Sequence, residues 1–267
     1  MWSEIFKNRE LVWELAVKDI ESRYRYPVLG FLWAILMPLA LMTIFLVVFS
    51  KIIRVEVKDI PYSVYLITGI FPWTFFQSSV IQATTSILDN GSLIKKVYFP
   101  RSIIPFSIIL SNLVNFFIFM ALLLIALPLL KIKYSFFIFL LPLVMLMQIS
   151  FTIGFSLLFS SLYVKLRDIK YLAEIVLLIL FYLTPAFYPL DLVLNFSKGF
   201  LTLYMLNPFV GLVSLYRIVL IKGFIQTLPE EVCLYNITVW PVICSIGVLL
   251  LGIFVFKRLA PGFADHV

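Results

Sequence analysis

Six apolar runs, 19 to 29 residues long, divide this chain at residues 28–50, 62–85, 102–130, 134–162, 171–189 and 236–256. A hydrocarbon core ~30 Å thick takes about 20 apolar residues of helix, and every backbone N–H and C=O inside it must be paired within the structure. The pattern therefore predicts an all-α polytopic membrane protein, one transmembrane domain over 1–267 with six transmembrane helices. Composition agrees: with 63% hydrophobic and 13% charged residues, too few polar side chains exist to coat a water-facing surface. The second run carries Pro72, Gln77, Ser78, Ser79 and Gln82 in its latter half. Such a helix faces protein or a wet cavity, so it belongs inside the bundle.

Two segments do not fit a simple crossing. Residues 190–235 include an apolar stretch, 200–221, that is long enough to count as a seventh span, but Asn207-Pro208 interrupts it. Proline removes a donor and disfavours helix in the residue before it, which predicts short re-entrant helices between the fifth and sixth spans. At the other end, Trp2, Ile5, Phe6, Val12, Trp13, Ala16, Val17 and Ile20 recur at helical spacing. Residues 1–25 are accordingly predicted to form an amphipathic helix lying in the membrane interface with these residues on its apolar face.

The basic residues set the orientation. With the N-terminus inside, 13 of the 21 Lys and Arg fall on cytoplasmic segments and 8 on outer ones, Arg217 counted among the latter. This places both termini in the cytoplasm. The same scatter, in short clusters between apolar runs, argues against a nucleic-acid surface. The first twenty residues are too charged for a cleavable leader, so the first span is expected to direct insertion itself.

Chemistry-bearing clusters are scarce. No G-x-x-x-x-G-K-[S/T] occurs, so a nucleotide site is expected on a separate subunit. The single histidine, His266, is near the end of the sequence, and no group of His, Cys and carboxylates has metal-ligand spacing. Cys233 and Cys244 are eleven residues apart along a helical run, too far for a disulfide. No paired carboxylates converge at mid-membrane, which counts against a membrane enzyme acting on polyprenyl-linked sugars.

Several runs resemble one family. Arg23-Tyr24-Arg25-Tyr26, then Leu29-Gly30-Phe31-Leu32-Trp33 and Pro38, are similar to the opening of ABC-2 type permeases that export polysaccharide, the O-antigen (Wzm-like) and teichoic acid group. Gly69-Ile70-Phe71-Pro72-Trp73, the stretch Leu93 to Arg101, Arg167-Asp168, Thr184-Pro185-Ala186-Phe187-Tyr188, Asn207-Pro208-Phe209 and Phe263-Ala264-Asp265 follow in the family's order. Pro27 departs from the pattern, where a small polar residue is more usual.

The resemblance implies a homodimer with a channel at its interface, in the cytoplasmic (inner) membrane. Two copies of a cytoplasmic ATPase subunit that bind ATP and Mg would drive it, with no cofactor on this chain. The substrate would be a polyprenyl-diphosphate-linked polysaccharide of O-antigen type; teichoic acid, lipid or drug are the alternatives. Expected roles are coupling to the ATPase for Leu93, Lys95, Lys96, Tyr98, Phe99 and Arg101. The channel lining is expected from Tyr26, Trp33, Phe181, Tyr182, Phe187 and Tyr188, on which sugar rings can stack. Arg23 and Arg25 are expected at the lipid diphosphate, since guanidinium pairs bidentately with phosphate. Asp191, Lys198, Asn207 and Pro208 are expected in an outer gate.

Overall fold

The computed structural model describes residues 2–24, 32–55, 57, 60–97, 99–194 and 198–263. Arg25, Tyr26 and Tyr98 lie outside the described residues, as does the side chain of Lys198. The described chain is helical, and one isolated bridge, Tyr134 with Ile221, is its only β pairing. In order the helices are α1 (Trp2–Lys7), α2 (Arg9–Tyr24), α3 (Leu32–Phe45), α4 (Tyr62–Asp89), α5 (Gly91–Lys96), α6 (Ile103–Leu129), α7 (Leu141–Lys165) and α8 (Ile169–Tyr182). Then follow α9 (Leu190–Leu194), α10 (Lys198–Tyr204), α11 (Pro208–Leu220) and α12 (Leu234–Leu259).

Four helices are long and apolar enough to cross a membrane: α4, α6, α7 with the tight turn that precedes it, and α12. The chain is therefore a membrane-spanning protein. As its polar residues predict, α4 is the most buried of these four and packs against α3, α6, α7, α8 and α11. On α12 most of the apolar surface stays open to lipid. The crossing of α7 and α12 is built on glycine: a Cβ on Gly252 would lie 2.2 Å from the Gly154 carbonyl oxygen, and one on Gly154 would lie 2.5 Å from that of Val248. Where association cannot draw on the hydrophobic effect, such close backbone approach supplies the dispersion contacts.

The other two expected spans are not plain helices. In the first, α3 gives way after Phe45 to a π-helical stretch, Leu46–Ile52, in which Ile53 N–H reaches five residues back to Val48. The fifth, expected over 171–189, is helical only to Tyr182. Its 14 residues rise roughly 21 Å, short of a crossing, because Pro185 and Pro189 cannot continue the ladder and the chain leaves it at Leu183.

The N-terminal segment also differs from expectation. It is two helices broken at Asn8, and the face that packs on α6 is Val12, Ala16, Asp19 and Arg23, repeating every three or four residues. Trp13, placed by sequence on the same face as Val12, is 57% exposed, and Phe6 is exposed with it. Residues one apart sit about 100° apart on a helix, so the packed stripe excludes Trp13 once Val12 and Ala16 define it.

Candidate functional site

The break predicted at Asn207-Pro208 is where α11 begins. Asn207 caps it, its side chain accepting from Phe209 N–H at 3.0 Å, and Pro208 takes the first helical position, where no amide donor is needed. Phe209 then enters the middle of the bundle, with ring centroids 5.0 Å from Trp73, 4.6 Å from Phe76 and 5.7 Å from Phe151. From there α11 returns to the end of the bundle. Leu220 carbonyl accepts from Ser135 N–H, and Lys222 N–H donates to Lys133 carbonyl, in the α6–α7 connection.

Around the start of α11 the non-helical segment 183–189 is held by side chains from three directions. Asn207 donates to Leu183 carbonyl at 2.8 Å and Tyr65 hydroxyl to the carbonyls of Pro185 and Tyr188 at 3.2 and 2.8 Å. Tyr62 hydroxyl donates to Phe187 carbonyl at 2.5 Å and Arg217 to Ala186 carbonyl at 3.1 Å. Thr184 carbonyl accepts from Ala186 N–H. Each carbonyl from Leu183 to Tyr188 is thus within reach of a donor, Pro185 and Tyr188 sharing the one Tyr65 hydroxyl proton, and such pairing is what unwound backbone needs away from water.

Arg217 is the centre of this collar. It is 1% exposed, donates to Tyr65 carbonyl at 3.0 Å and to Thr68 hydroxyl at 3.3 Å, and lies over the Tyr65 ring at 3.4 Å. Gly69 makes room for it: a Cβ there would meet the Ala186 oxygen at 2.6 Å and the Arg217 guanidinium at 2.9 Å. Counted from sequence as an outer-loop charge, Arg217 is a core residue. An arginine inside the apolar run Leu212 to Ile221 is itself the signal that finds it, since ionisable groups within such runs are costly and retained for a purpose.

The expected gate and channel residues divide between buried and open positions. Asp191 opens α9 and borders, with Ser214 and Arg217, a cavity of 20 Å³, about one water in size. Tyr188 hydroxyl meets Tyr204 hydroxyl at 2.9 Å and donates to Tyr182 carbonyl at 2.6 Å. Phe187 is 5% exposed, stacked at 4.9 Å on Phe45 and 5.3 Å from Phe181, which also touches Trp73. Tyr182, 58% exposed, lies on the surface, and Trp33, partly exposed, borders a cavity between α2, α3, α4 and α6. The aromatics expected along one channel wall are therefore split: Phe181 and Phe187 join α3 to α4 and α8, while Tyr182 and Trp33 remain on the surface.

At the opposite end, Lys95 and Lys96 are exposed, and Leu93 and Phe99 are half-buried. Arg101 turns inward, bonding the carbonyls of Ala260 and Pro261 and lying 5.9 Å from the centre of the buried Phe263 ring. Phe99, Arg101, Lys257 and Pro261 border a groove of 640 Å³. Arg23 is neutralised by an ion pair with Asp19, and donates to Asn112 Oδ1 at 2.9 Å and Ser111 Oγ at 3.1 Å. Asn112 donates in turn to Gln82 Oε1 at 2.9 Å.

A membrane-spanning bundle with a broken helix pinned inside it is an architecture from which transporters are built. Residues 10–221 match the model of the ABC-2 type transporter, and the chain belongs to that family. It is 31% identical to an O-antigen export system permease protein of Myxococcus xanthus over 80% of this chain and 81% of the relative. A protein of the same description from Klebsiella pneumoniae is 29% identical over 93% of this chain and 91% of its own. The polysialic acid transport protein KpsM of Escherichia coli is 25% identical over 79% of this chain and 81% of its own.

Proposed function

We propose that this chain is the permease subunit of an ABC exporter that moves lipid-linked polysaccharide of O-antigen type across the inner membrane. The observation that carries this reading is the near end-to-end similarity to export permeases, which covers 93% of the chain. Physical chemistry supports it. A sugar polymer loses several hydrogen bonds per residue on entering hydrocarbon, at a few kcal/mol each, so it needs a wet path with protein on all sides. Two copies of the chain would enclose that path, with Tyr182 facing it. In this reading both termini are cytoplasmic, α3 and α8 with their extensions complete six crossings, and α9 to α11 form the re-entrant outer gate. The grooved face with exposed Lys95 and Lys96 receives two copies of an ATPase that binds ATP and Mg.

The test is reconstitution of the chain with its ATPase in proteoliposomes, measuring ATP hydrolysis and uptake of a polyprenyl-diphosphate-linked polysaccharide. Wild type is expected to couple the two, and Tyr98→Ala with Phe99→Ala to uncouple or disassemble them. If no ATPase associates, or if teichoic acid or drugs cross and polysaccharide does not, the reading fails.

A further inference from the structure

Between α2, α3, α4 and α6 lies a cavity of 470 Å³ that belongs to neither the outer collar nor the groove at the opposite end. Its lining changes character along the helices. At the end nearest α5 it meets Arg23, Ser78, Gln82 and Asn112, with Asn115 one turn deeper, and further along it meets Leu41, Phe75, Phe116 and Phe119. Thr74, also deep, has its hydroxyl proton taken up by Phe71 carbonyl at 2.9 Å. Along α6, Asn112 stands roughly 13 Å and Phe119 roughly 24 Å from Ile103 at a rise of ~1.5 Å per residue. The polarity gradient therefore follows the membrane normal, polar towards one surface and apolar towards the bilayer centre.

From this geometry we infer that the cavity seats the headgroup and part of one acyl chain of an inner-leaflet zwitterionic phospholipid, one per protomer, the headgroup accepting from the Gln82 amide, which Asn112 orients, and the chain lying against Phe116 and Phe119. The leaflet rests on the cytoplasmic placement of the termini proposed above. Three observations select this occupant. The gradient orients an amphiphile head inward. The volume lies within the range of small-ligand sites, enough for a headgroup and part of one chain with the rest of the lipid in the bilayer, and is far below that of a polymer. The floor has no net charge, because Asp19 neutralises Arg23. A polyprenyl diphosphate, with at least two negative charges to desolvate, needs free cations that this floor does not offer. Amide groups reading a headgroup of zero net charge suit a phosphatidylethanolamine. Trp33 at the polar end sits where indole rings favour the headgroup level.

The experiment is native mass spectrometry of the full chain released from nanodiscs containing equal parts phosphatidylethanolamine, phosphatidylglycerol and polyprenyl phosphate. Wild type is expected to retain one phosphatidylethanolamine per protomer. Ser78→Phe, which fills the cavity, and Gln82→Met, which keeps its volume and removes headgroup hydrogen bonds, are each expected to lower that retention several-fold. Should one variant fail to fold, the other decides. Equal retention in wild type and the folded variants, no retained lipid, or preferential retention of either anionic lipid would overturn the inference. The measurement involves neither ATPase nor transport, so its failure leaves the export reading standing, and a failed export assay leaves the lipid count unaffected.

Discussion

The guanidinium of Arg217 lies 3.4 Å from the centre of the Tyr65 ring while donating to the carbonyls of Tyr65 and Ala186. One side chain thereby joins α11, α4 and the unwound segment after α8, serving Ala186 carbonyl outside any helix and adding to Tyr65 carbonyl, which Thr68 hydroxyl also reaches. Replacing it by Met leaves Ala186 carbonyl without that donor, at about 1–3 kcal/mol. Arg217→Met is expected to lower the thermal unfolding midpoint in detergent sharply. Arg217→Lys, which keeps the charge but not the planar fork, is expected to fall between Met and wild type.

The glycine crossing of α7 and α12 gives a sharper contrast. Gly252→Ala would place a methyl 2.2 Å from the Gly154 oxygen, so the two backbones must separate. Gly247, five residues earlier on α12, has nothing within 4 Å of its would-be Cβ. Folded yield by size-exclusion fluorescence is expected to collapse for Gly252→Ala and Gly252→Leu and to stay near wild type for Gly247→Ala.

The segment that holds α9, α10 and α11 is anchored unevenly. Nearly all of α11 is buried, and a Cβ on Gly211 would strike Pro241 of α12 at 2.3 Å, whereas α9 and α10 pack chiefly on each other. The Tyr188–Tyr204 hydroxyl pair ties α10 to segment 183–189. Tyr204→Phe is expected to speed amide hydrogen exchange several-fold in α9 and α10 with little change in α11. Equal acceleration in all three helices would show that they move as one body.

Asn207 serves two partners with two different groups. Its oxygen caps α11 at Phe209, and its amide nitrogen holds Leu183 carbonyl and Thr184 hydroxyl. Asn207→Asp keeps the cap and loses the donors, while Asn207→Ala loses both. A cap is worth roughly 0.5–2 kcal/mol, so Ala is expected to be the less stable of the two by about that amount in thermal unfolding.

At the opposite end, exposure separates binding from folding. Lys95→Glu with Lys96→Glu changes two exposed charges and is expected to leave the unfolding midpoint unchanged while abolishing ATPase association in pull-down. Arg101→Ala, which releases the Ala260 and Pro261 carbonyls, is expected to lower both.

Sequence alone determined the solvent and the punctuation. Span-length apolar runs with few charges have one stable environment, so membrane insertion, the positions of α4, α6, α7 and α12, and the break at Asn207-Pro208 were legible from composition and proline chemistry. The family motifs were legible too, but not what their residues do. Gly69 matters because Arg217 and Ala186 approach it from 148 and 117 residues away, and no local pattern encodes that meeting. For the same reason nothing local marks Tyr62 and Tyr65 as donors to the 183–188 backbone, and Arg217 reads as a topology charge. Which face of α2 packs was likewise undecided. Apolar side chains at interface depth are stable against either lipid or protein, so only the position of α6 chose Val12 and Ala16 over Trp13. Local chemistry fixes where helices stop; the pairing of the polar groups left over is a long-range property, and tertiary structure alone decides it.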